Sequence, residues 1–222
     1  MIIFELTEHE GHPAYQALAM SNLDRQYDFL QSIVQSSIEM GCPYLSQAVI
    51  KALNYHTIAC LHTNAGEYRP GEVLVGGKPE DGGYAPPANY RVSALMDAMV
   101  NTVNRNWETA DALNLATFVL WRLNHIHPFF NGNGRTARAA CYFILCVSAG
   151  GLLPGKVILP ELLRKNRPQY VAALKHADAS LLAGSLDLAP LHGLVQTLVS
   201  EQLESANGTD SPEAAQDGGE EK

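Results

Sequence analysis

The chain is short of positive charge. Its 222 residues hold 15 Lys and Arg against 23 Asp and Glu, for a formal net charge of −8. Non-specific nucleic-acid binding draws on basic patches, so this balance argues against a nucleic-acid partner. The densest basic group, Arg164-Lys165 with Arg167, is small. Long apolar runs are missing too. The richest stretch, residues 139–149, is shorter than the roughly 18 residues a membrane span needs, so no membrane partner is expected. Residues 1–8 lack a basic leader and a long apolar segment, so no secretory signal is expected. Four cysteines, Cys42, Cys60, Cys141 and Cys146, show no CxxC spacing. They read as reduced thiols of a cytoplasmic protein and argue against a zinc site.

The rest of the composition is that of a globular protein: 46% hydrophobic and 17% charged residues. Apolar residues recur at helical spacing through most of the chain. Two helices are expected between Tyr15 and Leu61, and one from Val92 to about Val103. Residues 112–126, with Arg122 as their one charge, read as a helix buried nearly all round and stopped by Pro128. Thr136 to Ala149 reads as a second buried helix ended by Gly150-Gly151. Two more patterns run from Pro160 to about Leu182 and from Asp187 to about Ser205. Residues 66–76 are different. Their Gly-bounded run through Val73, Leu74 and Val75 predicts a small β-hairpin or flap. The tail after Ala206 has no large apolar residue and is expected to be disordered. These features predict one all-α domain over residues 1–205, with a small flap and an acidic tail over 206–222.

The most informative run is His127-Pro128-Phe129-Phe130-Asn131-Gly132-Asn133-Gly134-Arg135-Thr136-Ala137-Arg138. A helix that starts after a Gly-rich turn aims free N–H groups and a partial positive charge at that turn. Gly132 and Gly134 allow close approach of a ligand. Arg135 and Arg138, one turn apart, offer forked donors for phosphate oxygens. His127, mostly neutral at pH 7, can accept a proton. A base beside bound phosphates suits deprotonation of a hydroxyl that then attacks phosphorus. The Gly132-x-Gly134-x-x-Ala137 spacing imitates a dinucleotide fingerprint, but that fingerprint follows a strand, and here a helix and a proline precede it.

This run resembles the Fic family signature, HPFx(D/E)GNGRxxR, and departs from it at one fixed position. The resemblance extends over about residues 50–205, including the flap and the Arg167-Pro168-Gln169-Tyr170 segment. It implies an all-helical protein that transfers AMP from ATP to a Ser, Thr or Tyr hydroxyl of a target protein. By that resemblance His127 is the general base. Gly132, Asn133 and Gly134 hold the phosphates, with the Asn133 amide near the α-phosphate, and Arg135 and Arg138 bind the phosphate tail. Tyr170 and Asp178 stand near base-recognition positions. Gly66, Tyr68, Arg69, Val73, Leu74 and Val75 form a flap that docks an extended target segment. The protein substrate is unnamed, and self-modification and a homo-oligomer stay open.

The departure is Asn131, where Mg²⁺-binding relatives place Asp or Glu. Mg²⁺ prefers a carboxylate together with phosphate oxygens and water. A nucleotide-binding module with little turnover, or transfer of another phosphate-linked group, therefore stand as alternatives. Many relatives are silenced by an (S/T)xxxE(G/N) helix. Glu39 and Glu204 are the two candidates for such a glutamate, although neither is followed by Gly or Asn.

Overall fold

A computed structural model describes residues 2–207. Helix α5 (Ala112–Ile126) organises the rest. The Asp111 carboxylate accepts from the N–H groups of Leu113 (2.9 Å) and Asn114 (3.1 Å) and starts it. His127 ends it in a left-handed conformation (φ 51, ψ 58), with its N–H on the Leu123 carbonyl. Leu115, Ala116, Val119, Leu120, Trp121, Leu123 and Ile126 are all buried, as expected for a helix with one charge. Arg122 lies over the face of Trp121, its guanidinium carbon 5.5 Å from the ring centroid.

Helix α6 (Asn133–Ser148) packs most extensively against α5. It begins three residues earlier than the apolar pattern suggested, so the Asn133-Gly134-Arg135 segment is its first turn. Every residue from Ala139 to Val147 is buried, Cys141 and Cys146 among them. Helices α2 (Pro13–Glu39) and α3 (Gln47–Ile58) cover α6 on one side, while α4 (Val92–Asn106) and α9 (Ala189–Asn207) pack on α5. The short helix α1 (Ile3–Thr7) is tied down by Ile3 N and Phe4 N, which donate to the Cys60 and Leu61 carbonyls.

Two expectations need correction. The pattern read as one helix over 160–182 is two, α7 (Leu159–Lys165) and α8 (Arg167–Leu182), broken at Asn166. Pro168 has no N–H to continue the ladder, and it is tolerated where it stands, in the first turn of a new helix. The Asn166 amide caps the old one by donating to the Leu162 carbonyl at 2.9 Å. The flap is not a hairpin either. No strand forms among the described residues; only isolated antiparallel bridges, Tyr68 to Phe129 and Val75 to Tyr84, occur. Gly76 and Gly77 at positive φ, with Pro70, Pro79, Pro86 and Pro87 nearby, break any longer ladder. The disordered tail expected beyond Ala206 lies outside the described residues from position 208 onward.

Phe129 anchors this arrangement. It is fully buried, and its ring centroid is 5.7 Å from that of Tyr68. Phe129→Ala should cost about 3–5 kcal/mol of unfolding free energy in a urea titration. Leu74→Ala, which truncates a 55% exposed side chain on the flap, should stay within about 0.5 kcal/mol of the parent.

Candidate active site

The loop from His127 to Gly132 joins the two central helices, and its shape is built by side chains. Asn133 folds back on Phe129. Its Oδ1 accepts from the Phe129 N–H at 2.9 Å and its Nδ2 donates to the Phe129 carbonyl at 2.8 Å. The Asn133 carbonyl oxygen and one of its two amide N–H groups are thereby engaged with Phe129, and the side chain is buried. Gly132 caps α6 at φ 78. A Cβ there would meet Ile58 Cγ2 at 2.9 Å and Asn54 Nδ2 at 3.0 Å, so this position accepts only glycine without a shift of α3. The first bond of α6 runs from Thr136 N to the Gly132 carbonyl. The N–H groups of Asn133, Gly134 and Arg135 therefore face the loop mouth with no intrahelical partner, as at any helix start.

Two residues that sequence reasoning missed in this role hold the loop from outside. Asn54, fully buried on α3, donates from Nδ2 to the Asn131 carbonyl (2.9 Å) and to Thr136 Oγ1 (3.3 Å). Its Oδ1 accepts from Gly66 N at 3.0 Å. Arg69, expected to dock a target, is buried instead. Its Nε donates to the His127 carbonyl at 2.9 Å, its Nη1 to the Gly71 carbonyl at 2.9 Å, and its Nη2 to the Pro87 carbonyl. The Arg69 N–H also bonds the Pro128 carbonyl. A buried guanidinium with these partners, and with Glu72 Oε2 3.3 Å from Nη1, acts as a brace. Gly66 is buried and Tyr68 donates to Gln47 Oε1, so neither presents a docking surface. Val73, Leu74 and Val75 keep the edge position. Val75 exchanges both bonds with Tyr84 at 2.9 Å, which turns the Leu74 backbone groups outward.

Two cavities meet at this loop. One, of about 320 Å³, is lined by the loop itself from Phe130 to Arg135 with His127 and Arg138. The other, of about 530 Å³, lies between the flap (Val75, Gly76, Gly82, Gly83, Tyr84) and α8. They share His127, Gly134 and Arg138. Tyr170 and Asp178 both line the larger cavity. The Tyr170 hydroxyl accepts from Asn124 Nδ2 at 2.8 Å. Asp178 Oδ1 accepts from Trp121 Nε1 at 2.9 Å and from His125 Nδ1 at 2.8 Å. The ring of Tyr84 lies against His125, and its hydroxyl donates to the His125 carbonyl. Lys175 Nζ on α8 donates to the Gly82 carbonyl at 3.0 Å, tying the flap across the cavity.

Burial sets the electrostatics. It pushes the His127 imidazole down to about 4; a backbone hydrogen bond to Asn124 opposes this and the Arg69 charge adds to it. His127 is thus a neutral base across the physiological range. Burial also lowers Arg135 and Arg138, but a guanidinium keeps its charge at neutral pH. Arg135 points Nη2 at Asn131 Oδ1 (3.4 Å) and Nη1 at the Thr57 carbonyl (3.5 Å). Arg138 and Tyr170 both line the larger cavity. The two candidate inhibitory glutamates are elsewhere. Glu39 accepts from Gln35 at 2.7 Å on the exposed last turn of α2, Glu204 is exposed on α9, and neither lines either of these two cavities. The spacing of Ser and Glu does not report which helix face turns to the site.

A divalent cation on a bound diphosphate would find no carboxylate in the loop. Asn131 Oδ1 already accepts from Gly132 N at 2.6 Å, and its Nδ2 faces Glu10 Oε1 at 3.0 Å. The carboxylate that the fold brings to this place is therefore Glu10, which no local pattern marked.

Comparison with known proteins agrees with this geometry. Residues 44–145 match the model of the Fic/DOC family. The protein adenylyltransferase Fic of Drosophila willistoni is 32% identical over 114 residues, 51% of this chain and 20% of that relative. The protein of the same name from Drosophila grimshawi is 33% identical over 114 residues, 51% of this chain and 21% of its own length. The match thus spans about a fifth of these curated relatives. Among solved structures, Fic-1 (residues 134–508) of C. elegans aligns with a TM-score of 0.69 and 23% identity, over 93% of this chain and 56% of that one. A Fic-domain signaling protein of Bacteroides thetaiotaomicron aligns at 0.66 and 21%, over 92% and 76%. These structures share the helical fold.

The His127 environment has a direct test. Burial penalises the charged form, so the ring should stay neutral down to about pH 4, where an ordinary imidazole would be protonated below 6.5. An NMR titration of the ring protons in the free protein should show a midpoint near 4. A midpoint near 6.5 would mean the ring is solvated.

Proposed function

We propose that this protein transfers AMP from ATP to a hydroxyl group of a protein, releasing pyrophosphate. One observation carries the reading. A neutral, partly buried imidazole, the free N–H groups of α6 and the Arg138 guanidinium line two cavities that join at those residues. The larger cavity has the size for a nucleoside, and the smaller one holds phosphates. The curated relatives named as adenylyltransferases support the same chemistry.

In this reading the acceptor hydroxyl gives its proton to His127 as its oxygen forms a bond to the α-phosphorus. The bond from that phosphorus to the bridging oxygen breaks, and pyrophosphate leaves. The N–H groups of Asn133, Gly134 and Arg135 stabilise charge on the phosphate oxygens. Arg138 and Arg135 hold the leaving diphosphate, and a bound divalent cation would neutralise part of its charge. Arg69 and Asn54 act through position alone: they fix the carbonyls of His127 and Asn131, so the base and the anion cradle keep one relative geometry. Tyr170 and Asp178 border the nucleoside end. The outward edge at Leu74 suits an extended target segment added as a strand.

Asn131 favours a second reading, a nucleotide-binding module with slow turnover. Two substitutions and one assay separate the roles. His127→Ala should abolish labelling of protein by ATP tagged in its AMP moiety, a fall of at least about 100-fold. Its nucleotide affinity should stay within about twofold, because the base acts only in the chemical step. Loss of affinity together with labelling would give His127 a binding role. Asn131→Asp producing labelling where the parent shows none would favour the second reading. A panel of labelled nucleoside triphosphates, read by product mass, identifies the donor.

Arg138→Ala should weaken ATP binding far more than AMP binding in calorimetric titrations, since the guanidinium contacts the phosphates that AMP lacks. Equal losses for both nucleotides would place Arg138 at the α-phosphate or outside the site.

A further inference from the structure

The loop lacks a carboxylate, yet one is delivered to it from 121 residues away in the chain. Glu10 Oε1 lies 3.0 Å from Asn131 Nδ2 and 3.5 Å from His62 Nε2. His62 is buried, and its Nε2 is 3.0 Å from Asn131 Nδ2 and 2.8 Å from the Tyr15 hydroxyl. With two groups that can donate to it, Nε2 serves as an acceptor, so His62 brings no positive charge to Glu10, whose carboxylate takes hydrogen bonds from Asn131 and Tyr15. The Arg135 guanidinium interacts electrostatically with Glu10 and hydrogen-bonds with Tyr15.

The segment carrying Glu10 is held on both sides. Before it, α1 is bonded to residues 60–61. After it, His12 caps α2 by accepting from Ala14 N at 3.1 Å. The side chain itself is 56% exposed. Its carboxylate contacts Asn131, which lines the smaller cavity.

We propose that Glu10 supplies the carboxylate ligand for a divalent cation bound with a diphosphate at this loop, replacing the acid that Asn131 lacks. The inference rests on the reading of the loop as a diphosphate cradle. Mg²⁺ is commonly held by one or two carboxylates, with substrate phosphates and water completing its octahedron. Glu10 gives one such oxygen, the Asn131 amide can present another after rotation, and the diphosphate supplies more. Among the described residues no cluster of three His, Cys, Asp or Glu side chains could hold a metal by itself. The cation then binds together with nucleotide and only weakly without it.

The test is Mn²⁺ binding to the full chain, followed by electron paramagnetic resonance, with and without a saturating non-hydrolysable ATP analogue. In the parent, the analogue should tighten Mn²⁺ binding beyond that of the analogue alone in solution. Glu10→Gln keeps an acceptor for the Asn131 amide but removes the charge. It should weaken Mn²⁺ in the ternary complex by at least about tenfold while metal-free binding of the analogue stays within about twofold. The double variant Glu10→Gln with Asn131→Asp should recover the lost affinity. Unchanged Mn²⁺ affinity in Glu10→Gln overturns the proposal. Tighter metal-free binding of the analogue in that variant also overturns it, because Glu10 would then be a plug over Arg135. If the parent binds no analogue under any condition, the cradle reading itself falls. Analogue binding without any Mn²⁺ response defeats the Glu10 proposal alone.

Discussion

The site depends on one small ring of hydrogen bonds, in which the Asn133 side chain holds both backbone groups of Phe129. That clamp does three things at once. It satisfies buried polar groups that would otherwise cost about 1–3 kcal/mol each. It sinks the Phe129 ring into the core between Tyr68 and the central helices. It also fixes the entry of α6, so that three N–H groups converge on the loop mouth. His127 is held at positive φ just before it, a conformation that costs a non-glycine residue on the order of 1 kcal/mol or more. The Arg69 bond to the His127 carbonyl and the Pro128 bridge keep it there. The strain sits on the residue that borders both cavities and carries the imidazole.

Local patterns made half of this legible. Helices α4, α5 and α6 follow from apolar spacing, because each buries one face or nearly all of its surface, and Asp111 and Pro128 mark the ends of α5 by their own chemistry. His127, Gly134 and Arg138 were recognisable from one contiguous run, and the structure sets all three on both cavities. The break at Asn166 and the absent hairpin were misread for a shared reason. Alternation and periodicity describe which face is apolar, and they do not register whether a proline or a pair of positive-φ glycines lets a ladder continue.

Other parts were illegible because nothing local encodes them. Arg69 looks like an exposed charge on a flap until four partners from three segments surround it. Asn54 is an unremarked amide in mid-helix, yet it joins α3, residue 66 and the loop that leads into α6. Glu39 and Glu204 show the converse. Ser200 gives Glu204 the spacing of the regulatory pattern, whereas Gln35 stands where Glu39 would need Ser or Thr, and both glutamates are turned to solvent.

The same logic bears on Asn131. Taken within its own run, an amide in place of an acid looks like a defect. Within the fold it is one member of a set that includes Glu10, Tyr15, His62 and Arg135, drawn from residues before α2, from α2, from the turn after α3 and from α6. The amide suits that set better than a carboxylate would. A second negative charge at 131 would face Glu10 at hydrogen-bond distance, and one of the two would have to take up a proton or move away. Asn131 instead donates to Glu10 and to His62 while its oxygen meets Gly132 and Arg135. The negative charge has moved from the loop to the segment packed on it. Electrostatic demand at the cradle is set by how many charges surround it, and which stretch of chain supplies each is a matter of packing.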